Sequence, residues 1–324
     1  MCSSDSATSI QRILNAQNAV LKHHLPSALY QSLETPPRHA GLNSVKVPGR
    51  PELKGKPPLI LLHGFGSGLG FFFASLPYLA QSGRTVYLVD WLGCGGSDRP
   101  HVSQNQMGAE FFTTSLNRWM EDEGIENATV VGHSLGGLLA KEFSEKYSEK
   151  ISSLVLASPA GFGSVSTQAT AKESFVRQLL DVMWNSNMTP QHLIRMAGAT
   201  RGRAMVTRAV RGRFGNHSEF NHSLIAEYLY EITVAKASGE YALNALLSPP
   251  FQQGAVVARR PISELPGKGK FPVHVIFGDH DWLGTPSACE NAKSIGAKLT
   301  IMRNAGHHLY MDDPITFAKL CLST

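Results

Sequence analysis

The chain has 324 residues, of which 42% are hydrophobic, 17% charged and 8% aromatic. This composition fits a globular protein and excludes disordered, collagen-like and coiled-coil classes. No stretch approaches the roughly 18 apolar residues of a membrane span. The four cysteines lack paired spacing, which argues against a disulfide framework or a zinc site and favours a reducing compartment. The net charge of +5 permits an anionic partner such as a phospholipid surface.

The N-terminal segment predicts an amphipathic helix. Arg12 and Lys22 lie opposite a face of apolar residues at helical spacing: Ile10, Ile13, Leu14, Val20, Leu21 and Leu25. Asp5 and Glu34 are the only acids among residues 1–50, so a mitochondrial transit peptide is the alternative. The segment lacks the continuous apolar core of a secretory signal, which argues against secretion. We expect the helix to pack on the domain, or to lie on a membrane, rather than to be removed.

From about residue 57, short apolar runs alternate with helical patterns. The apolar runs predict strands at Leu59–Leu62, Thr85–Val89, Thr129–Val131, Leu154–Ala157, Val273–Phe277 and Leu299–Met302. The helical patterns lie at Phe72–Gln81, Ala109–Glu123, Leu135–Tyr147 and Ser287–Ile295. Strands that are apolar on both faces occur in parallel sheets covered by helices on each side. The alternation therefore predicts an α/β fold with a mostly parallel, doubly wound sheet.

The alternation stops after Gly163. Residues 165–270 show helical periodicity, many arginines and no convincing buried strand. An insertion of this kind between two parts of one sheet predicts a helical cap or lid. We therefore divide the chain into an N-terminal amphipathic helix and lead-in at 1–56, a core at 57–164 and 271–324, and a cap at 165–270.

The strongest local motif is Gly132-x-Ser134-x-Gly136, which follows one predicted strand and precedes a predicted helix. In a nucleophile elbow, glycines at these offsets remove side chains that would collide around a tight, strained turn. The serine hydroxyl is then exposed at the end of the sheet, beside a helix N-terminus that favours negative charge. The strand and helix around the motif favour a nucleophilic Ser134 over a glycine-rich turn of structural importance only.

An acyl-transfer serine also needs donors for the oxyanion and a base. The strand Leu59–Leu62 runs into His63-Gly64-Phe65, so the backbone N–H groups of Phe65 and Leu135 are candidates for an oxyanion hole. A glycine-rich turn without catalytic function is the alternative.

The base and its orienting acid are expected in the chain order Ser, Asp, His. His307 follows the last predicted strand and is preferred to its neighbour His308. The loop after the preceding strand offers Asp279 and Asp281, and we prefer Asp281 because it lies three residues past Gly278. Cys94, in the glycine-rich loop Asp90–Pro100, lacks a convincing histidine partner and is expected to be a packed residue.

The predicted cap contains a cluster of arginines: Arg195, Arg201, Arg203, Arg208, Arg211 and Arg213. One interpretation is a solvated helix face. The other is a cationic lid for phosphate headgroups, because guanidinium groups pair with phosphate in bidentate geometry. The candidates for headgroup binding are Arg201, Arg203, Arg208 and Arg211. Aromatic residues do not alternate with the arginines, so nucleic acid is not an expected partner.

These residues together resemble the α/β-hydrolase superfamily. The resemblance is carried by His63-Gly-Phe-Gly-Ser-Gly-Leu-Gly70, Asp90-x-Leu-Gly-x-Gly-x-Ser97-x-Arg99-Pro100 and Gly132-His-Ser-Leu-Gly-Gly137. Further motifs, including Phe111-Phe-x-x-Ser115-Leu-x-x-Trp119, Tyr228-Leu-Tyr230, Ser238-Gly-Glu240 and Ala305-Gly-His307-His-x-Tyr310-x-Asp312, narrow it to one subfamily. That subfamily contains N-acyl-phosphatidylethanolamine lipase, plant lysophosphatidic acid acyltransferase/phospholipases, the fungal cardiolipin deacylase and the co-activator of adipose triglyceride lipase.

The resemblance implies an α/β-hydrolase fold, lipid acyl esters as substrates and no cofactor or metal. It implies Ser134, Asp281 and His307 as a catalytic triad, with Phe65 and Leu135 as oxyanion donors. It also marks His307-x4-Asp312, a pattern claimed for acyltransferase activity in this group. A helix N-cap at Asp312 or Asp313, before Pro314, is the structural alternative.

Three functions follow as hypotheses. The first is a serine lipid hydrolase acting on phospholipids or lysophospholipids, the second an acyltransferase that uses acyl-CoA and lysophosphatidic acid, and the third a non-enzymatic co-regulator of a lipase. The co-activator of the subfamily has asparagine in place of the serine, whereas this chain keeps Ser134, which favours catalysis. We expect a cytoplasmic protein that binds a membrane or lipid-droplet surface peripherally, with the mitochondrion as an alternative. The tryptophan-rich droplet anchor of the co-activator is absent here, which argues against droplet binding.

Overall fold

The computed structural model describes residues 2–102, 107–163, 188–248 and 258–324, together with residues 184 and 186. The strands are β1 (Ser44–Val47), β2 (Leu59–Leu62), β3 (Val86–Val89), β4 (Ala128–His133), β5 (Ile151–Ala157), β6 (Val273–Gly278) and β7 (Lys298–Met302). The helices that precede the cap are α1 (Cys2–His24), α2 (Ser27–Gln31), α3 (Leu76–Ala80), α4 (Ala109–Asp122) and α5 (Leu135–Lys146). The remaining helices are α6 (Pro190–Met196), α7 (Gly198–Phe214), α8 (His222–Val234), α9 (Ala242–Leu246), α10 (Pro286–Ser294), α11 (Leu309–Asp312) and α12 (Pro314–Leu322).

The seven strands form one sheet in the order β1-β3-β2-β4-β5-β6-β7. All neighbouring pairs are parallel except β1 and β3, which are antiparallel. The prediction of a mostly parallel α/β sheet is confirmed, and all six predicted strands are present. Strand β1 was not predicted, because Ser44 and Lys46 interrupt the apolar pattern of a strand of only four residues. The lead-in within residues 1–56 therefore supplies an edge strand of the sheet.

Alternate side chains of the strands pack against helices on the two faces of the sheet, as expected for strands buried on both sides. One face carries Leu59, Leu61 and Val131 against α1, α3 and α12. The other carries Ile60, Leu62 and Val130 against α4 and α5. The carboxyl ends of these buried strands meet at one edge of the sheet. Side chains that follow β2, β4, β6 and β7 are brought together there.

The N-terminal segment forms α1, whose apolar face is buried. Ile13, Val20 and Leu21 are almost fully inaccessible to solvent, and the helix packs on α8. Arg12 forms a 3.0 Å ion pair with the buried Glu231 of α8, so it borders the packed face instead of lying opposite to it. The helix thus packs on the domain, as the sequence analysis expected. No helix among the described residues is long and apolar enough to cross a membrane.

Two predicted regions differ in detail. The helix expected at Phe72–Gln81 is a 3₁₀ turn at Leu69–Ala74 followed by the short α3, because Pro77 begins a new helical turn. Within the predicted cap, residues 190–246 form α6–α9. Residues 165–183, 185, 187 and 249–257 of that segment lie outside the described residues. The cap boundaries at 165 and 270 stay a prediction.

Candidate active site

Ser134 lies between the end of β4 and the first turn of α5, with a backbone φ of 56° and ψ of −122°. A positive φ is rare for residues other than glycine and asparagine, so the turn stores strain that the surrounding structure must hold. The Ser134 N–H donates to the Ala157 carbonyl of β5 at 3.0 Å, which ties the turn to the sheet. This geometry agrees with the nucleophile elbow expected from the sequence.

The glycines around the elbow allow three backbone segments to approach closely. A Cβ on Gly132 would lie 2.5 Å from the Gly136 carbonyl oxygen, and one on Gly136 would lie 2.2 Å from the His63 carbonyl oxygen. Both distances are far below van der Waals contact. The glycine spacing is therefore required by the packing of α5 against the loop that follows β2.

His307 connects the serine to a carboxylate. Its Nε2 lies 3.0 Å from the Ser134 hydroxyl oxygen, and its Nδ1 lies 2.9 Å from Asp281 Oδ1. The acceptor Asp281 requires the proton on Nδ1, which leaves Nε2 free to accept the serine proton. The structure thus brings Ser134, His307 and Asp281 into one hydrogen-bonded chain. Their catalytic roles remain predictions that activity measurements must test.

Asp281 is held in its charged form although it is buried. Burial raises the pKa of this carboxyl, but the hydrogen bond and charge of His307 and the N–H of Leu283 outweigh it and bring the pKa below its usual value. Asp279, the alternative acid, instead accepts the N–H of Ala305 at 3.2 Å and pairs with the neighbouring His280. The geometry therefore favours Asp281 as the group that orients His307.

His308, the alternative base, is directed away from the serine. Its Nδ1 lies 3.2 Å from the Tyr310 hydroxyl, and its ring stacks on Phe214 of α7. Burial, together with the charge of Arg213, lowers the pKa of His308 well below its ordinary value. His308 is therefore a neutral packing residue between the core and the cap.

The predicted oxyanion donors are the backbone N–H groups of Phe65 and Leu135, and both residues line one cavity. Within the described residues, neither N–H donates a hydrogen bond to a protein acceptor. Leu135 is the first residue of α5, so its N–H also carries the positive end of the helix dipole. His63 fixes the other loop, because its Nδ1 donates to the Gly64 carbonyl at 2.8 Å and its Nε2 accepts the Trp91 N–H at 3.3 Å.

His133, the residue before Ser134, was not among the predicted site residues. This histidine is buried, and its Nε2 donates to the backbone carbonyl of His307 at 2.8 Å. Burial lowers its pKa well below the ordinary value, with the nearby His307 adding to the effect. His133 therefore holds the base loop against the elbow as a neutral donor. Its position beside Ser134 was the one feature of the sequence that could have indicated a role in the site, but the sequence does not show which group a single histidine contacts.

Asp312 contacts the base loop rather than His307 itself. Its Oδ2 accepts the Gly306 N–H at 2.7 Å, and its Oδ1 lies 3.3 Å from His217 Nε2. The N-cap of α12 is the next residue, Asp313, whose side chain accepts the Thr316 N–H. Asp312 thus steadies the loop one residue before His307 and links it to the segment that follows α7.

The four arginine candidates for headgroup binding do not lie around the triad. Arg203 forms ion pairs with Glu227 and Glu231, and its guanidinium lies 4.1 Å from the centre of the Tyr230 ring. The other three candidates are exposed on α7 and line neither the cavity beside Phe65 nor the one beside His307: Arg201, Arg208 and Arg211. These residues fit the alternative of a solvated helix face, with Arg203 as a stabilising contact inside the cap.

The loop Asp90–Pro100 is held together by a buried carboxylate. Asp90 accepts hydrogen bonds from the N–H of Leu69, the N–H of Gly96 and the side-chain amide of Asn43 at 2.6–2.8 Å. Burial raises the pKa of the Cys94 thiol in this loop to about 12. The loop borders the site as a rigid structural element, and Cys94 is a packed residue, not a thiolate nucleophile. Among the described residues, no group of histidine, cysteine and acidic side chains could hold a metal ion.

A family profile described as the alpha/beta hydrolase fold matches residues 57–314. The chain belongs to the α/β-hydrolase family. The prediction of this fold is thereby confirmed. Among solved structures, carboxylesterase CesB of Bacillus subtilis is similar with a TM-score of 0.66, 20% identity and 98% coverage of both chains. The naproxen esterase of the same organism has a TM-score of 0.64, 18% identity and 96% coverage of both.

Curated relatives are similar over most of the chain. A 1-acylglycerol-3-phosphate O-acyltransferase of Arabidopsis thaliana is 34% identical over 83% of this chain and 66% of its own length. A human (Lyso)-N-acylphosphatidylethanolamine lipase is 32% identical over 82% of this chain and 78% of its own. The chain thus spans just under two thirds of the plant relative. The subfamily resemblance is confirmed by these matches.

Proposed function

We propose that this protein is a serine hydrolase that cleaves carboxylic esters of phospholipids or lysophospholipids. The observation that carries the proposal is the hydrogen-bonded chain from Asp281 through His307 to Ser134. The (lyso)-phospholipid class comes from the named activities of the relatives. The reaction needs water as the second substrate and no cofactor.

The proposed reaction begins when Ser134 Oγ attacks the acyl carbonyl and His307 Nε2 takes its proton. The negative charge that develops on the carbonyl oxygen is stabilised by the N–H groups of Phe65 and Leu135. His307 then returns the proton to the departing alcohol oxygen, which leaves an acyl group on Ser134. Water, deprotonated by His307, attacks this ester, and the fatty acid is released.

The second candidate is an acyltransferase, favoured by the plant relative named for 1-acylglycerol-3-phosphate acylation. The acyl group on Ser134 would come from acyl-CoA, and the lysophosphatidic acid hydroxyl would replace water. Asp312 contributes to this candidate only by holding the base loop, because both its oxygens already have partners.

Peripheral membrane association forms part of the proposal. The cap exposes apolar side chains next to its arginines: Met196 is 76% exposed and Met205 45%, with Arg201 exposed on the same helix as Met205. Exposed apolar and cationic side chains together favour an anionic phospholipid surface. This surface would bring the site to its lipid substrate in a cytoplasmic protein.

Lipid mass spectrometry of the purified protein tests the proposal. Wild type and Ser134→Ala are incubated with mixed phospholipids and lysophospholipids, with and without acyl-CoA, after matched melting temperatures show that both are folded. Free fatty acid and lysolipid that appear only with wild type support the hydrolase. New phosphatidic acid that requires both acyl-CoA and Ser134 assigns the acyltransferase instead. Equal lipid profiles for the two proteins contradict both enzymes and leave the non-enzymatic co-regulator.

A further inference from the structure

Two separate cavities adjoin the proposed reaction centre. One lies beside the oxyanion donors Phe65 and Leu135, and its further lining is mainly apolar, including Trp91, Phe112, Leu139 and Ile232. The other is lined by His307 together with Arg213, His308, Asp312, Trp282 and Phe214. The first suits an acyl chain. The second adjoins the histidine that protonates the leaving oxygen, so it receives the alcohol part of the ester.

Arg213 differs from the other arginines of α7 in its position on the helix. The buried face of α7 consists of Gly202, Val206, Val210 and Phe214. Arg213 follows Val210 by three residues, so it borders this face and reaches the cavity beside His307. Arg208 falls on the opposite side of the helix by helical phase. Both arginines are exposed to solvent, and Arg213 is the one that lines the cavity beside His307.

Arg213 has no ion-pair partner among the described residues. Its guanidinium carbon lies 5.8 Å from the centre of the Phe214 ring. Arg213 is exposed to solvent, and Tyr310, Asp312 and Asp281 lie near enough for their charges to influence its guanidinium. The guanidinium stays charged at neutral pH, because the pKa of an arginine lies far above neutrality. The guanidinium of Arg213, which has no ion-pair partner among the described residues, thus lines the leaving-group cavity.

The carboxylates near Arg213 already have partners of their own. Asp312 accepts from Gly306 and His217, and Asp281 accepts from His307. Both therefore oppose an anion in the cavity less than free carboxylates would. His217 also lines the cavity, but both of its ring nitrogens already face carboxylates, those of Asp312 and Glu219.

We propose that Arg213 binds the phosphate of the substrate headgroup and gives the site a preference for lysophospholipids with an anionic phosphomonoester. This inference rests on the proposed function, because it assigns the leaving-group side from the ester chemistry. The phosphate accepts two N–H groups of Arg213 in bidentate geometry. The acyl chain then occupies the apolar cavity, and the ester oxygen lies between Ser134 and His307.

The preference is tested by kcat/KM for lysophosphatidic acid and for the monoacylglycerol with the same acyl chain, both in neutral detergent micelles. Arg213→Gln is expected to lower the ratio of the two values at least about tenfold. Arg213→Lys should recover part of the ratio, because lysine keeps the positive charge but cannot form the bidentate hydrogen bonds of a guanidinium group. Arg208→Gln removes the same charge from the outer side of α7 and is expected to leave the ratio near that of wild type. A ratio that Arg213→Gln does not lower, or that Arg208→Gln lowers equally, contradicts the assignment.

A binding measurement keeps the inference separate from the hydrolase proposal. Ser134→Ala is titrated with the non-hydrolysable ether analogue of lysophosphatidic acid, with the matching alkylglycerol and with CoA as a second source of phosphate. Arg213→Gln in the Ser134→Ala background should weaken binding of the phosphorylated ether about tenfold and that of the alkylglycerol far less. This result supports Arg213 even where wild type hydrolyses neither ester. Loss of CoA binding alone, or no loss of affinity for either lipid, overturns it.

Discussion

The sheet core and the cap hold their polar groups by different means. In the core, backbone approaches position the reactive groups: Gly136 lets α5 contact the loop after β2, and the Ser134 turn is tied to β5. In the cap, ion pairs between side chains hold the polar groups in place. Arg195 bridges Glu240 through both carboxylate oxygens at 2.8 and 2.5 Å, and Arg203 joins Glu231. The position of Ser134 is thus set largely by close backbone packing, whereas the cap depends on ion pairs between side chains that substitutions can remove.

The largest expected effect falls on the core carboxylates. Asp281→Asn removes the acceptor that holds the His307 proton on Nδ1, so we expect kcat to fall on the order of 10⁴-fold, as in other Ser-His-Asp enzymes. Asp279→Asn is the matched control, because Asp279 contacts Ala305 and His280 instead of His307. Ester hydrolysis by the two variants checks this. Equal losses in both would contradict the assignment of Asp281.

Two glycine substitutions, one in the core and one in the cap, are expected to change the stability of the protein in opposite directions. Gly136→Ala places a methyl group 2.2 Å from the His63 carbonyl oxygen, so we expect a loss of about 3 kcal/mol or more in the free energy of unfolding. Gly212→Ala in α7 meets no atom within 4 Å and should stabilise the helix by about 0.5–1 kcal/mol. Urea denaturation measures both. Similar small effects would show that α5 does not depend on this approach.

In the cap, Arg203→Gln is expected to destabilise the protein by about 1 kcal/mol. It leaves Glu231, whose side chain is 5% exposed, with Arg12 as its remaining ion-pair partner and removes the contact with Tyr230. Arg208→Gln, which is exposed and has no ion pair among the described residues, should stay within about 0.5 kcal/mol of wild type. Thermal unfolding of both variants at equal salt compares them. A larger loss for Arg208→Gln would reverse the roles assigned to these arginines.

A pH dependence of stability is expected from the histidines of the core. Burial lowers the pKa of His63, His133 and His308, and that of His274 to about 4. These side chains stay neutral in the folded protein but bind protons below about pH 6.5 once unfolded. Because the unfolded state then binds more protons, stability falls as the pH decreases from about 6.5 towards about 4.

Thermal unfolding between pH 7 and pH 5 checks this. We expect a decrease of about 5 °C in the melting temperature of wild type. The decrease should be smaller in His274→Gln, which lacks one of these groups. A melting temperature that does not change over this range would contradict buried neutral histidines in the core.

Much of the core was predictable from the sequence, because parallel strands are continuous apolar runs and their carboxyl ends meet. The strands that precede Ser134, Asp281 and His307 therefore indicated which side chains would converge. The preference for Asp281 over Asp279 rested on one offset from Gly278, and the hydrogen bonds of the structure agree with it. Strand β1 was not predictable in the same way, since an antiparallel edge strand of four residues has little periodicity.

The roles of the cap arginines were less predictable, because the sequence does not distinguish an arginine that stabilises a helix from one that faces a ligand. Only the partner distinguishes them: Arg203 faces Glu231, Arg208 faces solvent, and Arg213 borders the cavity beside His307. Helical phase gave a partial signal, since Arg213 follows the buried Val210 by three residues. The contact of His133 was not predictable for the same reason, because its acceptor, the His307 carbonyl, is distant in the sequence.

Covalent labelling with a fluorophosphonate, followed by intact-protein mass spectrometry, tests the central claim most directly. A serine activated by His307 attacks phosphorus, displaces fluoride and retains the phosphonyl group. We predict one adduct on wild type, located by peptide mapping at Ser134, and none on folded Ser134→Ala. Equal labelling of the two proteins, or no labelling of folded wild type, would contradict an activated nucleophile at Ser134.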